Sequence, residues 1–337
     1  MFKPLGARAR DHRDDAMLLY VVRRLLYSIP VLVVTSFIVF AFVTSTADPL
    51  AQIRLQPKIT PAQVEKLAHE NHLDRSIVVR YGYWARDAVL HKFGRKLLSH
   101  EPIWPNLKRV ATHTLQFVVA AEILAVILAL IIGIWSAVRQ YSVFDYVATT
   151  FSFLGFATPV FFLALMLQVL FTDIYLKFGI RIFYTAQLSS PDPKHWLLDR
   201  VQHLALPVAT LATLSIASHS RYLRASMLEV MTADFTRTAR GKGLAERIVI
   251  LKHVLRNALI PFVTVIMLNV GALIGGAVVT ETVFTLDGMG FYFITALNAG
   301  DPYPIMAWLV VTATTVILAN LVGDIAIGYL DPRVRLT

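Results

Sequence analysis

Glu122, Asn269 and Asp324 each interrupt a long apolar run of the chain. An ionised side chain at the centre of a bilayer costs roughly 2.5–3.5 kcal/mol on insertion scales, so such groups turn toward a bundle interior, a partner or a cavity. For Glu122 and Asp324 two readings stand: a hydrogen bond at a helix interface, which is the simpler, or a place on a polar path through the membrane. Asn269, near the middle of its run, has the better claim to that path. His203 and His219 flank the fourth apolar run at opposite ends and cannot share a metal ion.

Other chemistries are excluded by residue type. The 337 residues include no cysteine, which removes disulfides, thiolate nucleophiles and cysteine–zinc sites. No H-E-x-x-H, G-x-S-x-G or paired-carboxylate constellation falls on an apolar run, which argues against a membrane-embedded enzyme. No G-x-x-x-x-G-K-S/T loop occurs, so no P-loop for ATP is available within the chain. No metal or cofactor bound by this chain is expected.

The elements that position these groups are membrane spans. Hydrophobic residues make up 56% of the chain and charged residues 16%, against about 45–50% and 25% for soluble domains. The apolar residues cluster into runs near the ~20 residues that cross a bilayer as a helix. Six spans are predicted: Tyr20 to Thr46, Leu115 to Val138, Tyr146 to Thr172 with Pro159 as a kink, a short one from Leu204 to Ser218, Leu259 to Thr280, and Ile305 to Leu330. The run from Leu25 to Thr46 is longer than a signal peptide's apolar stretch and lacks a small-x-small cleavage pattern, so it reads as a retained span. Residues 1–19 are expected to be a loosely ordered cytoplasmic tail, and residues 331–337 a second cytoplasmic tail.

Orientation follows from lysine and arginine in the short loops. Arg23, Arg24, Arg139, Arg333 and Arg335, with eight basic residues between Arg221 and Arg256, lie on one side, read as cytoplasmic. The stretch from Glu281 to Pro304 holds Glu281, Asp287 and Asp301 and no basic residue, and falls on the other side. The net charge of +10 therefore reads as contact with membrane lipid headgroups, not with nucleic acid. Residues 47–113 carry eleven Lys/Arg yet fall outside by span parity, as long loops do largely regardless of charge. They are expected to form a small helical extracytoplasmic domain, or else a helix lying on the membrane surface. Thr60 caps and Pro61 opens a helix there, with Val64, Leu67 and Ala68 at helical spacing.

The segment 221–258 is too long for a simple connection between two helices. Asp234 is predicted to cap a short helix through Arg240, Gly241 and Gly243 to end it, and a second helix from about Ala245 to Leu255 to lead into the fifth span. A short helix, a glycine break and a second helix make a rigid docking element. The plainer alternative is that its basic residues only anchor to headgroups.

Arg237-Thr238-Ala239, then Gly243, then His253-Val254-Leu255 resembles the Glu-Ala-Ala loop of ABC-importer permeases, with Arg237, Thr238 and Arg256 departing from its consensus. Leu25-Leu26-Tyr27-Ser28-Ile29-Pro30, His203-Leu204-Ala205-Leu206-Pro207, Arg221-Tyr222-Leu223-Arg224, His253 through Pro261, Gly275 through Phe284 and Tyr329-Leu330-Asp331-Pro332-Arg333 are similar to the B-type permease of the dipeptide/oligopeptide/nickel importer family. The resemblance covers about residues 18 to 335. It implies an all-α membrane protein of type I ABC-importer permease fold. It also implies a second homologous permease chain, two ATP-binding subunits or a fused ATPase holding ATP and Mg, an extracytoplasmic solute-binding protein, and a di- or oligopeptide as cargo. Nickel, glutathione or haem stay open as cargo. Asp234, Phe235, Arg237, Thr238, Ala239, Arg240, Lys242, Gly243 and Leu244 would form the coupling helix and its exit, with Ala239 and Gly243 allowing close approach and Arg237, Arg240 and Lys242 meeting the ATPase. Gly271, Gly275 and Gly276 would let the second permease chain pack closely. An ion-coupled secondary transporter is the competing class. It calls for clustered mid-membrane charges and repeat symmetry, and neither is evident.

Overall fold

A computed structural model describes residues 5–46, 50–54, 59–90, 93–96 and 99–330. The expected tail 331–337 and residues 1–4 lie outside them, as do Lys58, Lys92 and the end of the closing motif. The helices are α1 (Leu5–Thr46), α2 (Ala51–Arg54), α3 (Pro61–Glu70), α4 (Ile77–Leu90), α5 (Ile103–Val138), α6 (Val143–Ala157), α7 (Val160–Phe178), α8 (Trp196–Thr232), α9 (Asp234–Gly241), α10 (Glu246–Ile248), a π-helical stretch Val249–Val254, α11 (Leu255–Val283), α12 (Met289–Asn298) and α13 (Pro302–Leu330). Among the described residues six are long and apolar enough to cross a membrane, within α1, α5, α7, α8, α10–α11 and α13.

Three expectations need correction. Residues from Leu5 onward are helical, not a loose tail: the Ala, Arg, Met and Leu residues of this stretch are strong helix formers and run into the first span without a breaker. The third span is two helices. Pro159 sits in extended conformation (φ −61°, ψ 137°) between α6 and α7, because its ring blocks continuation of the helix before it. The fourth span is not short: α8 runs for 37 residues, and Pro207 is tolerated inside it. Hydropathy registered only the middle of α8, since its polar residues are covered by neighbouring helices.

Two compact units divide the chain. One draws on Met1–Arg24, Gln116–Leu286 and Val316–Thr337, the other on Leu25–Leu115 and Asp287–Thr315. In the first, α8 is the centre, packing against α6, α7 and α11. Ala121, Ala125 and Ala129 of α5 are fully buried at four-residue spacing, the first two clustered with Leu211, Ala212, Leu273 and Ala277. A Cβ on Gly133 would meet Leu223 at 3.0 Å, so glycine is what lets α8 come this close to α5.

The second unit holds the insert between the first two spans. Thr60 and Gln63 form a reciprocal capping box, with Pro61 at the helix start as expected. Val64, Leu67 and Ala68 pack around Leu50. Trp84 of α4 packs with Phe40 of α1 and with Met306. His113 Nδ1 lies 2.7 Å from the Asp287 carbonyl, and Arg109 pairs with the Asp287 carboxylate.

Candidate functional site

The segment expected to be a loop is almost wholly helical. Residues 221–232 complete α8, and α10 passes through the π-helical stretch into α11 without a gap. Widening to i→i+5 bonds shifts the helical register, and Val249, Ile250 and Val254 are all buried in the core that holds Leu223, Met227 and Phe262. Between these two long helices, α9 and the exposed turn and short helix after it present a surface. The inner face of α9 is narrow: Thr236 and Ala239 are buried three residues apart, and the Thr236 hydroxyl donates to the Val230 carbonyl at 2.9 Å. Asp234, Phe235, Arg237, Thr238 and Arg240 point outward, and every residue from Arg240 to Ile248 is exposed.

The expected cap is shifted by one residue. Ala233 occupies the N-cap without a side-chain bond, and Asp234 is the first helical residue. There its carboxylate still faces the positive helix end. At the other end Gly241 is the last helical residue, and Gly243 alone takes the left-handed conformation, with φ 75°. A side chain there would be strained, so glycine sets the exit angle. Arg240, expected to meet a partner, is engaged within the chain. Its Nη2 lies 2.8 Å from Glu246 Oε1 and its Nη1 donates to the Met231 carbonyl at 3.3 Å. The hydrogen bond to Glu246 raises the Arg240 pKa further above its ordinary value. Arg240 therefore braces the turn, and Arg237, Lys242 and Arg247 provide the outward cations, beside exposed Phe235, Leu244, Ile248 and Leu251.

Within the bundle, Glu122, Asn269 and Asp324 do not make one site. Glu122 on α5 pairs with His219 on α8 (Oε1 to Nε2, 2.9 Å), and His219 is fully buried with its ring edge-on to Phe262. Asn269 on α11 bonds back to the Val265 carbonyl at 3.0 Å. Asp324, half-buried on α13, follows Gly323, which abuts Met267 of α11. His203 and His219 both lie inside α8. His203 is buried near the start, stacked on Tyr184, with Nδ1 3.0 Å from the Ala186 carbonyl. Among the described residues no group of three or more His, Cys, Asp or Glu is placed to hold a metal ion.

Sequence reasoning missed the Asp145–Arg224 pair. Asp145 opens α6 and is 3% exposed, and Arg224 of α8 meets it through two 2.7 Å bonds. Tyr141 N–H donates to the same carboxylate. Around it, Ser220 meets Ser152 of α6, the Arg221 guanidinium lies over Phe153 and Phe156, and Ser226 donates to the Ala258 carbonyl of α11. A signal was present: Ser218 through Arg221, with Arg224 and Ser226, is too polar a run for a lipid-facing helix.

Six spans, a polar hub buried among them and one exposed amphipathic helix define a multi-pass membrane transport component. The chain belongs to the family described as "Binding-protein-dependent transport system inner membrane component", which matches residues 129–336. It is 36% identical to the oligopeptide transport system permease protein OppB of Mycobacterium tuberculosis (strain ATCC 25618 / H37Rv) over 94% of this chain and 99% of that one. It is 34% identical to the oligopeptide transport system permease protein AppB of Bacillus subtilis (strain 168), over 95% of this chain and 100% of the relative. It is 33% identical to the dipeptide transport system permease protein DppB of Escherichia coli (strain K12), over 95% and 99%. A solved amino acid ABC transporter is similar at 15% identity and a TM-score of 0.46, over 66% of this chain and 92% of its own. By its family and its permease relatives the chain is a multi-pass inner-membrane permease component of ABC type, a class that works with an ATPase and a substrate-binding protein.

Proposed function

We propose that this chain is one of two homologous permease subunits whose shared interface carries di- or oligopeptides inward, driven by ATP and Mg held on two ATP-binding subunits or a fused ATPase. The observation that carries this reading is α9, an eight-residue helix with an apolar and basic outer face, held rigidly between α8 and α11. Such an element suits a groove on an ATPase better than a lipid surface, because Phe235 stands beside Arg237 and Asp234 and not above a basic rim. The peptide names of the relatives support the cargo class. The basic residues of the short loops support cytoplasmic termini, and span parity supports an external insert 47–113. An extracytoplasmic solute-binding protein delivers the cargo there.

The open faces of α11 support a second permease chain. A Cβ on Gly271 or Gly275 would meet nothing within 4 Å, so this stretch is uncovered by its own chain. The surroundings of Gly276 lie outside the described residues. We assign Asn269, two residues from Gly271, to the path. Glu122 and Asp324 serve as helix-interface groups, in keeping with the Glu122–His219 bond.

Gly243→Val tests the coupling role. The substitution forces a β-branched residue into left-handed backbone, at a cost of roughly 1–2 kcal/mol. Expected is an inserted, assembled importer that still hydrolyses ATP but transports peptide about tenfold or more slowly. Normal transport by that variant would remove the coupling assignment. Purification of the chain without any nucleotide-binding subunit would instead favour an ion-coupled transporter. Identifying the solute retained by the cognate binding protein separates peptide from nickel, glutathione or haem.

A further inference from the structure

The unit built from Leu25–Leu115 and Asp287–Thr315 contains a polar cavity of about 270 Å³ that the permease role does not use. Its lining includes Arg80, Arg95, Lys96, His72 and Trp84. It also includes the carboxylates Glu70 and Asp87, so the sign of the cavity depends on which charges are already spent. Glu70 pairs with Lys66 at 3.8 Å, Asp87 with Arg86 at 3.1 Å and Lys96 with Glu101 at 2.7 Å. Two guanidiniums are left over. Among the described residues neither Arg80 nor Arg95 has a carboxylate ion-pair partner. Arg80 lies over the Phe40 ring at 6.0 Å, and Arg95 donates one N–H to the His100 carbonyl at 3.2 Å.

A further donor is unspent. Trp84 is 6% exposed, and among the described residues its indole N–H has no hydrogen-bond partner. A buried donor without an acceptor loses about 1–3 kcal/mol, so an acceptor in the cavity would be favoured. Described residues around the cavity are tied to one another. Gly94, in left-handed conformation, starts a turn in which Lys96 N–H donates to the Glu101 carbonyl at 2.9 Å and Arg95 bridges to Pro102. His72 is stacked on Tyr83 with ring centroids 4.0 Å apart. The volume lies below the ~300–1,000 Å³ of pockets that enclose drug-sized ligands, so it suits one functional group and not a whole oligopeptide.

We propose that this cavity binds a compact oxyanion, a carboxylate or phosphate group, between Arg80 and Arg95. Planar guanidiniums match both groups through paired N–H donors. On the proposed topology, and resting on it, the source is either the free carboxylate of a peptide or the phosphate of a lipid headgroup.

The test uses the assembled wild-type importer in phosphatidylcholine nanodiscs and needs no variant. Arginines are modified with phenylglyoxal and the rate at each is read by peptide mass spectrometry. Inorganic phosphate, N-acetylglycine or N-acetylglycinamide is added in turn. Expected is roughly tenfold slower modification of Arg80 and Arg95 with either anion and no change with the amide, while Arg75, on an exposed turn of the same unit, is unaffected. Protection already present in phosphatidylglycerol nanodiscs without added anion identifies the headgroup as the source. Protection that requires added N-acetylglycine identifies a soluble carboxylate. Modification of Arg80 and Arg95 that no anion and no lipid slows, or slowing shared equally by Arg75, overturns the proposal. Either result stands apart from the coupling role, because a failed Gly243→Val test leaves the cavity chemistry unchanged.

Discussion

Along the first span, Leu26, Tyr27, Ile29, Val31, Val34, Ile38 and Phe42 are exposed, and only 6% of the Leu25–Thr46 apolar window is buried. Along the fourth, 50% of the window is buried, and the covered residues include His203, Thr210, Ser215, Ser218, His219 and Ser220. The helix with the more polar sequence is the one covered by protein. Lipid tails are as apolar as leucine, so leucine-rich helices gain little from leaving lipid for a neighbour. Polar groups do gain, because hydrocarbon offers them no hydrogen-bond partner. The polar helix thus becomes the organiser and the apolar helix the boundary.

That contrast breaks most sharply at Arg224. Removing it leaves the Asp145 carboxylate buried without its cation, with neutral hydrogen bonds from Tyr141 N–H and the Ser136 side chain. Arg224→Ala is expected to destabilise the unit by about 3–5 kcal/mol. Loss of the folded fraction in a thermal unfolding series of the detergent-solubilised chain would show it. Arg224→Ala combined with Asp145→Leu should recover much of the loss, since an apolar pair can replace a buried ion pair. An unchanged melting temperature in the single variant would mean that the ion pair does not hold α8 to α6.

A milder break lies along the alanine stripe of α5. Ala125→Leu places a large side chain where α8 and α11 already fill the space around Leu211, Ala212 and Leu273. Overpacking of this kind costs about 1–3 kcal/mol. His219→Ala is of similar or smaller size, about 1–3 kcal/mol, because it deprives Glu122 of its partner. His219→Gln, which keeps an N–H donor, should restore part of that stability. If the alanine and glutamine variants melt together, the bond to Glu122 contributes nothing and packing against Phe262 accounts for the effect.

The same physics decides what could be read without coordinates. Six spans and the helical start at Thr60-Pro61 were legible because length, apolarity and capping chemistry are local properties. The short helix and glycine turn across 234–244 were also legible, since a glycine-broken amphipathic stretch between apolar runs is unusual. The reach of α8 was not, because a hydropathy window counts Asp199, Arg200, His219 and Arg224 against a span and cannot see what covers them. Nor was the role of Arg240: its partner Glu246 lies beyond the Gly243 turn, and the turn had to be built before the two could meet. Ala121, Ala125 and Ala129 form a small-xxx-small pattern that is legible in the sequence, though only the packing shows that α8 and α11 cover it.

The smallest expected effect closes the comparison from the lipid side. Phe42 is 67% exposed on α1, while Phe40, two residues earlier, is 2% exposed against Trp84 and Met306. Phe42→Leu exchanges one lipophilic side chain for another on a surface that the described chain leaves open. Substitutions at such positions usually stay within about 0.5 kcal/mol. Phe40→Leu removes part of an aromatic cluster with Tyr81 and Trp84, whose ring centroids lie 5.7 and 5.9 Å from Phe40, and should cost about 1 kcal/mol or more. Measured side by side, the two variants ask whether α1 has one anchored face and one free face. Equal melting temperatures would mean that the aromatic cluster does not anchor the helix. A large loss at Phe42 would mean that something other than lipid covers it, and the second permease chain would be the first candidate.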